Sequence, residues 1–155
     1  MRAILNGSET NLTPFLVHNK GKYLLYHGWA DGLIGPEPTV DYYEGIVGTT
    51  FGGNAAAAQE HVRLFMVPGM GHCAGGVRGA AVAWDKLAPL VQWVEHGKAP
   101  DSIVVTQDNG TRTADGNERI LCPWPLQPEY VGPAAGAEND PANWKASNFV
   151  CQPRP

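Results

Sequence analysis

The sequence predicts an α/β fold in which parallel strands are covered by helices and followed by an irregular tail. Two short apolar runs, residues 23–26 and 62–67, are typical of strands buried on both faces. Between them, residues 39–48 carry apolar side chains at helical spacing. This alternation indicates a parallel sheet, because a helix is the usual connection between two parallel neighbours.

The first helix is predicted to begin at Thr39, whose hydroxyl can cap the first turn, and to end at Gly48. Residues 51–59 are rich in Gly and Ala and fit either a loop or a short helix. Residues 68–76 contain four glycines and one proline, so this segment is predicted to be a loop.

A second helical pattern covers residues 85–96. With Asp85 as the N-cap, Pro89 falls in the first turn, where backbone N–H groups have no intrahelical partner. Gly97 is expected to end this helix. Residues 103–106 form a short strand in this prediction, and residues from 108 onward form turns and extended segments. We therefore expect residues 1–155 to be a single domain with a tail over about 108–155.

The composition indicates a globular protein. The chain has 155 residues, of which 43% are hydrophobic and 17% charged, and its formal net charge is −4. No stripe of Lys and Arg is visible, which argues against nucleic acid as a partner. No apolar run approaches the roughly 18 residues of a membrane span, and residues 1–8 lack the apolar region of a signal peptide.

Three cysteines, Cys73, Cys122 and Cys151, leave one thiol without a partner in the chain. Three reduced, buried cysteines are one interpretation. The other is a disulfide between Cys122 and Cys151, which bracket a tail that is rich in Pro, Gly and Asn and has little apolar periodicity. Such a tail gains more from a covalent link than a well-packed segment would.

Two loops after the predicted strands contain Asp31 and His72, which are 41 positions apart. Loops at the carboxyl ends of neighbouring parallel strands meet at one edge of a sheet, so the two side chains could lie together there. A hydrolytic triad needs a base that takes the proton of a nucleophile and an acid that holds the base in its tautomer. In the α/β-hydrolase arrangement the chain order is nucleophile, acid, histidine, and Asp31 and His72 follow it. The alternative is that Asp31 forms a turn and His72 lies on a surface loop.

The segments His27-Gly-Trp-Ala-Asp31 and Pro68-Gly-Met-Gly-His-Cys73 resemble the two C-terminal signature loops of the tannase and feruloyl esterase family. The similarity extends from about Asn11 to the end of the chain. It includes Asp41-Tyr-Tyr-Glu44, Val62-Arg-Leu-Phe65, Leu90-Val-Gln-Trp-Val-Glu95, Leu121-Cys-Pro-Trp-Pro125 and Asn148-Phe-Val-Cys151. The resemblance implies the C-terminal part of an α/β-hydrolase sheet and, outside this chain, an N-terminal part of the same hydrolase.

The resemblance also implies roles for particular residues. Asp31 would be the triad acid and His72 the general base, and the substrate would be an ester of an aromatic acid. Cys122 and Cys151 would form a structural disulfide. Cys73 would pair with a cysteine that precedes the nucleophilic serine, outside this chain. The full protein would be secreted or periplasmic.

The sequence departs from the family in its serines. No Gly-x-Ser-x-Gly or Cys-Ser string occurs, and the serines are Ser8, Ser102 and Ser147. The family's lid, with its calcium site, also has no matching segment, so no cofactor and no metal are expected in this chain. We therefore expect the chain alone to be inactive. A non-catalytic alternative is a truncated paralogue that binds phenolic compounds or pairs with a partner chain.

Two further residues of the first loop have competing interpretations. Trp29 could line an aromatic substrate pocket, but packing on the core is favoured because its large ring buries much area. His27 could polarise a substrate or form hydrogen bonds with the backbone across the loop, and the second role is favoured.

Overall fold

The structure is a computed structural model that describes residues 7–73, 75–77, 80–108, 114–134 and 136–153. Within these residues the strands are β1 (Tyr23–Gly28), β2 (Val62–Val67), β3 (Ala81–Ala83), β4 (Ile103–Asp108), β5 (Ala114–Leu121), β6 (Gln127–Tyr130) and β7 (Phe149–Gln152). The α-helices are α1 (Glu37–Phe51), α2 (Ala55–Gln59) and α3 (Ala88–His96). The described part is thus a mixed helix and sheet structure, as the sequence predicted.

β1 and β2 are parallel and in register from the Tyr23–Val62 pair to the Gly28–Val67 pair. The predicted strand, helix and parallel strand are therefore confirmed. Both faces of β2 are covered by apolar clusters. The first contains Leu16, Tyr43, Ile46, Ala58, Val62, Leu64 and Met66, and the second contains Phe65, Val67, Met70, Val82, Ile103, Val105 and Leu121. This double burial explains why β2 reads as a continuous apolar run.

The predicted ends of α1 were wrong. The helix follows Pro36 and continues through Gly48 to Gly52, whose φ of 61° lies in the left-handed region that glycine adopts without strain. Thr39 lies inside the helix instead of capping it, and its hydroxyl contacts the His27 ring. The ambiguous segment that follows is partly helical, because the Asn54 side chain accepts a hydrogen bond from the Ala57 N–H at 3.0 Å and caps α2.

The second helix is shorter at its start than predicted. The carboxylate of Asp85 accepts hydrogen bonds from the N–H groups of Leu87 and Ala88, at 2.9 and 3.0 Å, but the N-cap position is Leu87. Pro89 lies in the first turn, and Gly97 is the C-cap residue with a φ of 68°, both as expected.

The third predicted strand does not extend the parallel sheet. β4 lies between β3 and β5 in a separate antiparallel sheet, with Ile103 opposite Leu121 and Val104 opposite Ile120. The tail also holds more regular structure than predicted, namely β5 and the antiparallel pair β6–β7. The last two residues of β5, Ile120 and Leu121, are apolar and buried, but the residues before them are largely polar. The apolar alternation that indicates a strand is therefore weak, and β5 was missed.

The predicted disulfide between Cys122 and Cys151 is present. It joins the end of β5 to β7, the last strand. Next to it, the Trp124 N–H donates to the Leu64 carbonyl at 2.8 Å, and Pro123 forms a bridge with Phe65. The tail is therefore attached to β2 by hydrogen bonds and closed on itself by a covalent bond. In the described part of the chain, no helix has both the length and the apolar character to cross a membrane.

Replacing Cys122 and Cys151 together with Ala should lower the free energy of unfolding by about 3–4 kcal/mol. The bond closes a loop of 29 positions, and without it the unfolded chain regains the corresponding conformational entropy. Urea denaturation followed by circular dichroism measures the change. Cys73→Ala is the matched control, because Cys73 is a free, exposed thiol, and it should change the free energy by less than about 0.5 kcal/mol. Equal losses in both variants would contradict a stabilising role of the disulfide.

Candidate active site

Two loops leave the same edge of the parallel sheet. The strands end in register at Gly28 and Val67, and hydrogen bonds continue beyond them. The Trp29 N–H donates to the Val67 carbonyl and the Ala30 N–H to the Met70 carbonyl, both at 3.0 Å. A Cβ atom at Gly28 would collide with the Met70 carbonyl oxygen, so this close approach of the two loops requires glycine.

The two loops bring Asp31 and His72 together. The Nδ1 atom of His72 lies 2.9 Å from the Oδ2 atom of Asp31. An ionised carboxylate only accepts hydrogen bonds, so this contact places a proton on Nδ1. In the neutral ring, Nε2 is then the nitrogen that can accept a proton. The Asp31 side chain is 5% exposed and the His72 side chain is 38% exposed, so the carboxylate is covered while part of the ring faces solvent.

The Asp31 carboxylate is held by its own turn. Oδ1 accepts hydrogen bonds from the N–H groups of Leu33 and Ile34, each at 2.9 Å. The hydrogen bond from Ile34, supported by those from His72 and Leu33, holds the pKa of this carboxyl well below its usual range, against the opposing effect of desolvation. Asp31 therefore remains ionised at neutral pH, although little of its side chain meets water.

His27 is a second imidazole on the same carboxylate. Its Nε2 atom lies 3.2 Å from the Oδ2 atom of Asp31 and 3.2 Å from the Ile34 carbonyl, while its Nδ1 atom lies 2.6 Å from the Thr39 hydroxyl oxygen. The contact with Ile34 agrees with the favoured interpretation of a bond to the backbone across the loop. The contacts with Asp31 and Thr39 were missed, although the spacing of four residues between His27 and Asp31 was visible in the sequence.

The loop that carries His72 is closed by backbone hydrogen bonds. The Gly71 N–H donates to the Gly75 carbonyl at 3.0 Å, and the Val77 N–H donates to the Gly69 carbonyl at 2.9 Å. Cys73, which follows His72, is an exposed free thiol in a backbone conformation with a φ of 62°. Its predicted partner outside this chain stays a prediction.

Trp29 packs on the core. Its ring contacts the first apolar cluster and lies 6.2 Å from the Trp124 ring, measured between centroids. It also lines a cavity of about 300 Å³ together with Met66, Trp124, Leu126 and Pro128, and neither Asp31 nor His72 borders that cavity. Packing is thus the role that the contacts support, and substrate binding by Trp29 stays a prediction.

No group of three or more His, Cys, Asp or Glu side chains that could hold a metal ion occurs among the residues that the structure describes. No chemical step is assigned to a metal here.

The described serines do not lie on a turn from a strand into an α-helix. Ser8 precedes β1, Ser102 directly precedes β4, and Ser147 lies in a single 3₁₀ turn, Ala146–Asn148. None of these positions has the geometry of a nucleophile elbow. Among the described residues, the loops of Asp31 and His72 therefore have no serine on such an elbow beside them.

Similarity to known proteins identifies the family of this chain. The family model for tannase and feruloyl esterase matches residues 1–150. The chain is 36% identical over 148 residues to a probable feruloyl esterase of Arthroderma benhamiae, covering 96% of this chain and 26% of that protein. It is 40% identical over 149 residues to the mono(2-hydroxyethyl) terephthalate hydrolase of Piscinibacter sakaiensis, covering 96% of this chain and 22% of that protein.

Among solved structures, the crystal structure of feruloyl esterase B from Aspergillus oryzae matches with a TM-score of 0.75 and 29% identity, covering 93% of this chain and 29% of the other. An acid and a histidine joined by a hydrogen bond at the edge of a parallel strand pair are typical of a hydrolase site. The chain belongs to the tannase and feruloyl esterase family. It spans about a quarter of the length of the relatives that it matches.

Asp31→Asn should destabilise the protein more at neutral than at acidic pH. Because folding lowers the pKa of Asp31, its contribution to stability is complete above the ordinary value of 3.8 and is lost as the pH falls through the folded-state pKa. The difference in unfolding free energy between wild type and Asp31→Asn should therefore be larger at pH 7 than at pH 3 and shrink as the pH falls below about 4. Urea denaturation between pH 3 and pH 7 measures it.

His72→Gln is the informative comparison for this pH dependence. The backbone N–H of Ile34 contributes most to the lowered pKa of Asp31, so this variant should keep most of the pH dependence. Loss of the whole pH dependence in His72→Gln would show that the hydrogen bond from His72, and not the turn, keeps Asp31 ionised.

Alkylation of the folded protein without reductant should modify Cys73 alone, because its thiol is exposed and the other two cysteines are bonded to each other. Peptide mass spectrometry should find the label at position 73 and a linked peptide pair containing Cys122 and Cys151. A bond from Cys73 to either of the other cysteines would contradict the assigned pairing.

Proposed function

We propose that this chain provides the acid and the base of a serine carboxylic ester hydrolase that acts on esters of aromatic acids. The hydrogen bond of 2.9 Å between His72 Nδ1 and Asp31 Oδ2 carries the proposal. The fold is proposed to be the C-terminal part of an α/β-hydrolase sheet, with residues 1–155 as one partial domain. In support, the acid follows one parallel strand and the histidine follows the next, which is the chain order of that fold.

The serine would come from a part of the protein outside this chain. Nε2 of His72 would take the serine proton as the oxygen attacks the ester carbonyl. Asp31 would stabilise the imidazolium that forms, and its strongly favoured ionised state suits that role. His72 would then return the proton to the leaving alkoxide, and a water molecule would repeat the sequence to release the acid.

The relatives support the substrate class. One is named a feruloyl esterase and another hydrolyses mono(2-hydroxyethyl) terephthalate, according to their names, and ferulate and terephthalate are both aromatic acids. We therefore propose an aromatic acyl group for this site as well, with Trp29 as a candidate contact. No cofactor is proposed for this chain, and neither nucleic acid nor a membrane is proposed as a partner.

Cys73 is proposed to form a disulfide with the cysteine that precedes the nucleophilic serine, in the N-terminal part of the hydrolase. Cys73 is exposed and directly follows His72, so such a bond would hold the serine and histidine loops together. The disulfide between Cys122 and Cys151 supports a secreted or periplasmic location, since structural disulfides persist in oxidising compartments.

A non-catalytic binding module is the second candidate. It is favoured by the absence of a Cys-Ser or Gly-x-Ser-x-Gly string from the printed sequence and by the positions of Ser8, Ser102 and Ser147 away from any strand-to-helix elbow. In that case the loops with Asp31 and His72 would bind a phenolic compound or a partner chain without turnover.

A chimera tests the proposed activity. The segment of the Arthroderma benhamiae relative that matches this chain is replaced by this chain, so that the relative supplies its own preceding part. The chimera should hydrolyse methyl ferulate or a related aryl ester. Asp31→Asn should lower kcat by about 10⁴-fold, because the base loses its tautomer, and His72→Ala by about 10⁶-fold, because the base itself is removed.

His96→Ala is the matched control, since His96 is an exposed residue in the last turn of α3, and it should leave kcat unchanged. The isolated chain should show no hydrolysis that depends on Ser8, Ser102 or Ser147. A folded chimera whose activity does not respond to Asp31 or His72 would refute the proposed triad. An inactive chimera, together with ferulate binding by the isolated chain in calorimetry, would favour the binding module.

A further inference from the structure

The Asp31 carboxylate receives a hydrogen bond that the triad scheme does not use. Its Oδ1 atom is held by two N–H groups of its own turn, while its Oδ2 atom contacts both His72, at 2.9 Å, and His27, at 3.2 Å. Oδ2 is the oxygen that faces the proposed base. The orientation of this atom therefore depends on His27 as well as on His72.

The surroundings of His27 settle which of its nitrogens carries a proton. Nε2 faces two acceptors, the Asp31 carboxylate and the Ile34 carbonyl, so it is a donor. Nδ1 lies 2.6 Å from the Thr39 hydroxyl, which donates to it when the ring is neutral and accepts from it when the ring is charged. Nε2 thus donates to Asp31 in either state.

Thr39 connects this pair to the scaffold. It lies in the first turns of α1, whereas His27 is in β1 and Asp31 is in the loop after that strand. The His27 side chain is 14% exposed, so its ring is largely covered and water competes little for its hydrogen bonds. The helix therefore restrains the ring, and the ring restrains the carboxylate.

We propose that His27, held by the hydroxyl of Thr39, is a positioning residue that fixes Oδ2 of Asp31 in line with Nδ1 of His72. The proposal rests on the proposed triad function, because it assigns His27 a role in that site. His27 does not touch the reacting atoms. Without it, the carboxylate is anchored by Oδ1 alone, and Oδ2 has only the N–H of the partly exposed His72 ring as its partner.

Two substitutions of His27 distinguish the role of its Nε2 atom from the role of its Nδ1 atom. The amide nitrogen of His27→Gln can occupy the position of Nε2 and keep a donor toward Asp31. The shorter amide of His27→Asn can reach the position of Nδ1 and keep the Thr39 contact, but it cannot reach Asp31. Thr39→Val removes the hydroxyl and leaves His27 in place. His96→Asn in α3 is the control for replacement of an exposed histidine.

The first readout is the tautomer of His72 in the full chain, which needs no serine. Ring nitrogen shifts of His72 are measured by NMR at pH 9, where imidazole rings are ordinarily neutral, with Cys73→Ser in all samples to prevent crosslinking. Wild type, His27→Gln and His96→Asn should show the Nδ1–H tautomer. In His27→Asn and Thr39→Val, the Nδ1 and Nε2 shifts should move toward each other as the tautomers mix.

The second readout is turnover in the chimera. His27→Asn should lower kcat about 10-fold or more with KM within about twofold, since it misaligns the acid without removing a substrate contact. His27→Gln should recover most of that loss. An inactive parent chimera would count against the proposed function and leave the NMR comparison as the test of His27.

Three results would overturn the positioning role. The first is a His72 tautomer that is the same in wild type, His27→Asn and Thr39→Val. The second is a His27→Gln variant that is as altered as His27→Asn, because the donor would then not matter. The third is unfolding of both His27 variants, detected by loss of chemical shift dispersion, because the ring would then be a packing residue.

Discussion

The in-register parallel pairing of β1 with β2 is the constraint on which the rest of the site depends. Because the two strands end side by side at Gly28 and Val67, the loops after them start from the same edge of the sheet. Residues 41 positions apart in the chain thereby become neighbours. The pairing is itself enforced by burial, since β2 is covered on both faces and a shift of one residue would exchange the side chains that belong to the two apolar clusters.

Burial of Asp31 would be costly if its charge had no partners, and the local structure removes that cost. The turn after β1 directs two N–H groups at one carboxylate oxygen, and two imidazole rings approach the other. The hydrogen bonds from Ile34, His72 and Leu33 outweigh desolvation, so the pKa of the carboxyl is lowered although its side chain is covered. The same fixed charge holds the tautomer of His72. Stability and chemistry therefore depend on one group of hydrogen bonds around Asp31.

The features that could be predicted from the sequence are those that leave a local pattern in it. β1 and β2 were predictable because their apolar runs directly reflect burial, and the disulfide was predictable because the tail has little apolar periodicity. The start of α1 was not predictable, because a Thr near a helix start is usually a cap, and here its hydroxyl is taken by a tertiary contact with His27. The polar strand β5 was missed because its pairing with β4, not its own periodicity, makes it a strand.

The proximity of Asp31 and His72 could be predicted from the order of the strands. The contact of His27 with Asp31 could not, because it depends on side-chain directions that sequence spacing does not give.

Asp31 and His72 are restrained to different degrees, and this difference bears on how the proposed site would work. Asp31 is restrained by its own turn and by a ring held from a helix, so it is preorganised within this chain. His72 lies on a glycine-rich loop closed by backbone hydrogen bonds, is more exposed than Asp31, and is held from one side by Asp31. The remaining freedom is on the side where a nucleophile would approach Nε2. The proposed disulfide at the adjacent Cys73 would restrain the His72 loop on that side. The hydrogen bonds around Asp31 would then fix the carboxylate, and the disulfide would fix the loop that carries the histidine.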